Sequence, residues 1–294
     1  MVLVVCGVML WGAIWFRSRA ITTVAMLKRL PTDDAVVVYI DLTQLRRSHI
    51  DQLLDSMSVG QDPEYQNFIK KIDFDYRHDL DTVMAAFTPS GKYFLAKGRF
   101  DWTAITAYVI GVDGRCNNSL CRLVGSMPDR HISFFPLQRN LMALAVSSDE
   151  SAVEKMQTVN QRPDPDLPDA PIWMTIPPAI INSGQTLPEG TQMFARTLEH
   201  AKSVMLWAAP SGNAAFTAKM SVQFATVTDA VEVASKLTKI TNLLRDLIEK
   251  ENQKPNPADL SGFLTAGTFH NEGTKVVGAW PVQQVLIENM LGGK

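Results

Sequence analysis

The stretch "DFDYRHDLD" is the densest run of ionisable side chains in this 294-residue chain: Asp73, Asp75, Asp79 and Asp81 surround His78. Carboxylates packed this closely are hard-cation ligands, and a histidine among them is a general base that a neighbouring Asp can orient. As a calcium loop the stretch fails, because it lacks a glycine at the sixth place and a glutamate at the twelfth. Its structural reading is a polar loop entering a strand, with an Asp capping a turn and Arg77 pairing locally. That reading is preferred, so no catalytic residue, metal site or cofactor is assigned.

Nothing else in the chain matches a well-specified catalytic motif: it has no Walker loop, no dinucleotide glycine fingerprint, no HExxH, no paired CxxC and no GxSxG elbow. "GTFHNEGTK" has the glycine and lysine of a phosphate loop at the wrong spacing and is better explained by a hairpin turn. The histidines at 49, 78, 131, 200 and 270 are spread through unlike settings. Cys116 and Cys121 in "RCNNSLC" form an even pair that can close a small loop by a disulfide in an oxidising compartment, with two unpaired loop thiols as the alternative. With no second pair or nearby His, they do not fit common zinc spacings.

Composition narrows the partners. The chain is 46% hydrophobic and 20% charged with a formal net charge of -2, which excludes the broad basic surface that nucleic-acid binding needs. "VLVVCGVMLWGAIWF" carries no charge and stops at "RSR". At 1.5 Å per residue, this run of about 15 residues is about 23 Å long as a helix, a little short of a hydrocarbon core of about 30 Å. Snorkelling of Arg17 and Arg19 closes that gap, and Trp11, Trp15 and Phe16 suit an interfacial belt. Residues 1–20 are therefore expected to be a transmembrane or signal-anchor segment contacting membrane lipid, with a cleaved signal peptide as the alternative because "SRA" has small residues at the -3 and -1 positions. The positive-inside rule would place the body in the cytoplasm with Arg17, Arg19, Lys28 and Arg29, whereas the cysteine pair favours an extracytoplasmic, periplasmic body. The second placement is preferred.

The elements that must position these residues repeat. "DTVMAAF" and "KYFLAKGRF" pair across "TPSG", and Asp101 then caps a helix with Trp102, Ile105 and Val109 on one stripe. "HISFFPL" pairs with "NLMALAVSS", and Ser147 with Glu150 is spaced as a capping box for a following helix. "KSVMLWAAP" pairs with "AAFTAKMSVQF", followed by a helix from near Thr226 to about Glu249 whose apolar face runs from Ala230 to Leu247. "GFLTAGTF" joins "TKVVGAW" through "HNEG", and Pro281 is expected to open a last helix. "DAVVVYIDLTQL" and "DAPIWMTIPPAI" each precede two such units, and the proline-rich "NQRPDPDLPDAP" separates the halves.

The expected fold is α+β: an N-terminal anchor helix, then two pseudo-repeated lobes of antiparallel sheet with helices packed on it, each lobe a β-α followed by two β-β-α units. The boundaries are 31–160 for the first lobe, 161–171 for the linker and 172–294 for the second lobe. Strands apolar on both faces, such as "AVVVYI", need a second covering layer, which further helices, the other half's sheet or a partner chain could supply.

The phrases "VYIDLTQLRRS", "FDYRHDLDTV", "KGRFDW", "CNNSLCRL", "PNPADLSGFLTAG" and "GAWPVQQVLIENM" resemble those of uncharacterised, membrane-anchored bacterial envelope proteins of the kind found among acidobacteria. The resemblance runs from about Leu30 to the C-terminus. It implies a bacterial envelope setting and a shared fold, and it brings no site residue or cofactor with it. The first expectation for function is a non-catalytic, single-pass inner-membrane protein that binds or scaffolds another protein, as an accessory subunit of a membrane complex. The alternatives are an envelope hydrolase or metal-dependent enzyme using the 73–81 loop, and a carrier of a hydrophobic ligand between the lobes.

Overall fold

A computed structural model describes residues 21–48, 69–125, 130–183, 194, 196–211, 215–251 and 253–291. The expected membrane segment, residues 1–20, lies outside them; among the described residues no helix is long and apolar enough to cross a membrane.

The chain folds as α+β around one large antiparallel sheet. A short helix α1 (Thr23–Leu27) leads into strand β1 (Val36–Asp41) and helix α2 (Leu42–Arg47); a single helical turn, α3 (Tyr76–Asp79), then enters β2 (Leu80–Thr88). β3 (Gly91–Gly98) follows, then helix α4 (Trp102–Gly111), the short strands β4 (Arg115–Asn117) and β5 (Leu120–Val124), and the hairpin β6 (His131–Gln138) and β7 (Leu141–Ser147). After a 3₁₀ segment (Ala152–Gln157) the second half begins with β8 (Ile172–Ile176), α5 (Pro178–Ser183), β9 (Ser203–Ser211) and β10 (Ala215–Gln223). It ends with the long α6 (Val227–Lys250), α7 (Leu260–Thr265), β11 (Thr268–Glu272), β12 (Lys275–Val282) and α8 (Gln284–Leu291).

The twelve strands lie in the order β11-β12-β10-β9-β8-β1-β2-β3-β7-β6-β5-β4, and every neighbouring pair is antiparallel. The halves therefore meet edge to edge, through β1 and β8, so neither half's sheet covers the other's face. Val36 and Ile172 open these two strands, and Val38 and Met174, at the same place in each, face one another across the seam. Reading outward from the seam, β2 matches β9, β3 matches β10, β7 matches β12 and β6 matches β11.

Alternation of side chains decides what covers each face. Val37, Tyr39, Met84, Tyr93, Leu95, Ala143 and Trp173 point to one face and are buried beneath Met26 and Leu30 near α1 and beneath Ala152, Val153 and Met156 of the 3₁₀ segment. Tyr39 stacks on Trp173 across the seam, with centroids 5.2 Å apart. On the opposite face, Val204, Met220, Val222, Val276 and Trp280 lie under Ala230, Val233, Ala234 and Leu237 of α6. Leu45 of α2 meets Phe216, Val282 and Leu286 near the middle. Phe134 and Cys121 lie under Ile105 and Val109 of α4 at the far end.

Four expectations need correcting. Ser147 and Glu150 do not box a helix: a 3₁₀ segment begins later, and the Ser147 hydroxyl instead donates to the Ser90 carbonyl at 2.9 Å. "GFLTAGTF" is mostly helix, because the Asp259 carboxylate accepts from the Ser261 and Gly262 amides and starts α7, leaving only Thr268–Glu272 for the strand. Pro281 remains in β12, where its missing N–H and exposed side chain are tolerated, and α8 starts three residues later. Leu247 is not core but 48% exposed, because it falls to the side of the buried stripe of α6 that runs through Ala230, Ala234, Leu237 and Thr241.

Candidate functional site

The 73–81 loop lies at the end of the sheet where β2 starts and β3 stops, and its carboxylates are taken up by cations of the fold. Asp75 caps α3, accepting the Arg77 amide at 3.0 Å, and its two oxygens receive Arg77 Nε and Nη2 at 2.7–3.1 Å. Those bonds from Arg77 hold the Asp75 carboxyl below the usual carboxylate range, against a smaller opposing effect of burial. Asp79 Oδ1 receives Arg99 Nη2 at 2.8 Å and Nε at 3.1 Å, and its Oδ2 receives the Asp75 amide at 2.8 Å. Asp81 lies 3.7 Å from Arg46, whose Nη1 also donates to the Arg77 and Leu80 carbonyls, both at 2.8 Å.

His78 is exposed; its carbonyl accepts from Arg99 and its amide donates to the Asp75 carbonyl. Asp73 is exposed with φ 51, in the left-handed region that Asp tolerates better than most residues. The five residues are thus neighbours without converging: among the described residues, no group of three or more His, Cys, Asp or Glu is placed to hold a metal ion. Of the carboxylates flanking His78 in the chain, Asp75 is held by Arg77 and Asp79 by Arg99.

Beside this loop lies an open cleft of about 630 Å³. Its floor includes the buried Ile72 and Ile105. One wall is an aromatic ladder: Phe74 stacks on Phe100 at 5.8 Å between centroids, and Phe100 meets Trp102 at 5.5 Å. The Trp102 indole N–H donates to the Arg139 carbonyl at 2.8 Å, which fixes the ring against the β6–β7 turn. Asp101 caps α4, accepting the Thr103 amide at 2.9 Å and the Ala104 amide at 3.0 Å, and so sets where Trp102 begins the helix. The Arg139 guanidinium lies on the rim, exposed and without a hydrogen bond or ion pair among the described residues.

Gly98 lets the two walls approach, because a Cβ there would sit 2.2 Å from the Asp79 carbonyl oxygen. That proximity allows the Arg99 amide to donate to the same oxygen at 2.8 Å. Sequence reasoning placed Asp101 and Trp102 on their helix but missed Arg99, Phe100 and Arg139 as lining residues. Arg99 is 20 positions from Asp79, and Arg139 is 37 positions from Trp102, so no local spacing joins them. The one usable signal was the run "GRFDW", in which a cationic and two aromatic residues crowd a strand-to-helix junction.

At the far edge of the sheet, Cys116 and Cys121 are bonded and face each other directly across the β4–β5 hairpin. This segment was expected to be a loop; it is two short strands joined by Asn118 and Ser119, both in the left-handed region with φ 50 and 69. Cys121 is buried against the α4 layer, so the bridge ties the edge hairpin to the core beneath the helix that carries Trp102.

A second void, of about 230 Å³, lies beside the seam between Val37 and Thr175 and the proline-rich segment at 160–165, rimmed by Lys28 and Arg162. Both cations are paired: Lys28 with Asp164, and Arg162 with Asp33.

No family model matches this chain. No curated protein matches it either. Among solved structures, crystal form III of TP0453 superposes with a TM-score of 0.53 at 12% identity, covering 90% of this chain and 97% of that one. Crystal form I of the same protein gives 0.53 at 10% identity, covering 93% and 99%. At such identities the likeness is one of fold: an α+β chain built on a large antiparallel sheet.

Proposed function

We propose that this chain is a non-catalytic protein of the bacterial envelope that binds or scaffolds another protein, as an accessory subunit of a membrane complex. It is anchored in the inner membrane through residues 1–20, with its body on the extracytoplasmic side. The observation that carries the binding reading is the cleft beside the 73–81 loop. Asp75, Asp79 and Asp81 are taken up in holding the loop in shape, while a half-buried aromatic wall fixed at Trp102 and the exposed Arg139 guanidinium line the cleft. A rigid aromatic surface next to an arginine is the anatomy of a protein-binding hot spot rather than of an acid–base pair.

The Cys116–Cys121 bond supports an oxidising compartment, and the resemblance to acidobacterial envelope proteins supports the same setting. The symmetric strand order about β1 and β8 supports an internal duplication, with two like halves fused into one platform. Two measurements test the proposal together. A reporter fused to the C-terminus reads the compartment, with activity expected only for a periplasmic reporter. Crosslinking in intact membranes followed by pull-down of the full chain is expected to recover one specific partner in stoichiometric yield. A cytoplasmic C-terminus refutes the placement, and a chain that stays monomeric with no specific crosslink refutes the binding role.

A further inference from the structure

We infer that the cleft between the 73–79 segment and α4 takes an extended segment of the partner protein carrying an aromatic or bulky apolar side chain close to an acidic one. This deepens the binding reading above and rests on it.

Three features of the cleft select that chemistry. The Phe74–Phe100–Trp102 ladder is already ordered, with Trp102 pinned through its indole N–H, so an apolar side chain laid on it orders little that is not already fixed. The charges on the rim are unequally available. Asp79 is neutralised by Arg99, and Asp101 Oδ1 is used twice as a helix cap. Arg139 has no side-chain partner among the described residues, so a carboxylate from a ligand gains a guanidinium without displacing an existing bond. Asp73, also on the rim, disfavours a second acidic group on its own side.

The third feature favours a peptide over a free small acid. Beyond Gly98 the chain leaves the sheet, and after the Arg99 amide bonds to Asp79 the backbone of Phe100 makes no hydrogen bond with any described residue. Asp101 is extended, with φ -85 and ψ 92. The Phe100 N–H and C=O, left unpaired between the Arg99 amide and the Asp101 carbonyl that starts α4, can bond the backbone of a peptide, with the neighbouring aromatic surface to receive one of its side chains.

The test is selection from a random peptide display library against the full chain in detergent micelles, in parallel with Arg139→Glu and Trp102→Leu. The expected result is enrichment of peptides with an aromatic residue within about two positions of Asp or Glu, extended peptides receiving one side chain in two on the same face. A selected peptide, made synthetically, is expected to bind Arg139→Glu at least about tenfold more weakly, the scale of an arginine hot spot. Selection on Arg139→Glu is expected to turn toward Lys and Arg, a gain that misfolding cannot produce. Unchanged circular dichroism is expected for both variants. Peptides that bind both variants as well as the parent would overturn the cleft assignment and leave the protein-binding reading standing. If N-acetylphenylalanine competes at the same concentration as the peptide, the site takes a small aromatic acid and the inference fails. No selection at all, together with no specific membrane crosslink, removes both.

Discussion

Asp75 and Asp101 show what single carboxylates accomplish in this protein. Each caps a helical segment, and Asp75 also holds a two-pronged pair with Arg77. Because the Asp75 carboxyl titrates below its ordinary value of about 3.9, its stabilisation is complete at neutral pH and is lost as pH falls through the acid range. Asp75→Asn, which keeps a capping oxygen but not the charge, is expected to lower stability at pH 7 by about 0.5 kcal/mol, the scale of an exposed pair. The difference from the parent should narrow as pH falls through the titration of Asp75 in the folded protein, as read by urea denaturation across an acid pH series. Asp101→Ala removes a cap that serves two amides and should cost about 1 kcal/mol. Thermal melts check this, with Asp101→Ser recovering most of the loss. At this scale the sequence was legible where partners are near in the chain: the Arg77 pairing and the Asp101 cap follow from spacing. The arginines that neutralise Asp79 and Asp81 were not legible, because Arg99 and Arg46 arrive from other elements.

Elements were readable wherever their period ran long enough to outvote alternatives. "AAFTAKMSVQF" alternates cleanly and forms β10, and the α6 stripe is buried from Ala230 to Leu237. Periodicity also placed Leu247 in the core, but at the flank of the stripe the pattern alone does not decide burial, and Leu247 is exposed. The β4–β5 hairpin went unrecognised because strands of three and five residues carry too little pattern, and its turn uses Asn and Ser rather than glycine. The Cys116–Cys121 bond closes so small a loop that its loss should cost only about 2 kcal/mol by chain entropy. Cys116→Ser with Cys121→Ser should therefore leave a folded protein with a lowered denaturation midpoint. Amide exchange is expected to be faster in β4 and β5 but not in β9 or β10, and mass-resolved deuterium uptake reads this directly.

At the scale of the molecule, the order of elements leads to an expectation of two like halves and leaves open how their strands would meet. The pattern of "AVVVYI" requires cover on both faces, and that requirement fits a stacked pair of sheets as well as one sheet with helices on both sides. The choice depends on which edges pair, and the residues of β1 and β8 that face one another are apolar except for Thr175. Since Trp173 is 1% exposed and stacks on Tyr39 across this seam, Trp173→Ala should cost about 3–5 kcal/mol. It should also weaken both halves together, keeping one unfolding transition by fluorescence and by circular dichroism. The most direct test of the continuous sheet is a cysteine pair across the seam. Val38 and Met174 are facing residues, so Val38→Cys with Met174→Cys should bridge under mild oxidation, seen as one linked peptide pair by mass spectrometry. Val38→Cys with Ala208→Cys, on strands that are not neighbours, should remain unlinked. A seam pair that stays reduced, or a control pair that bridges equally well, would contradict the single twelve-stranded sheet.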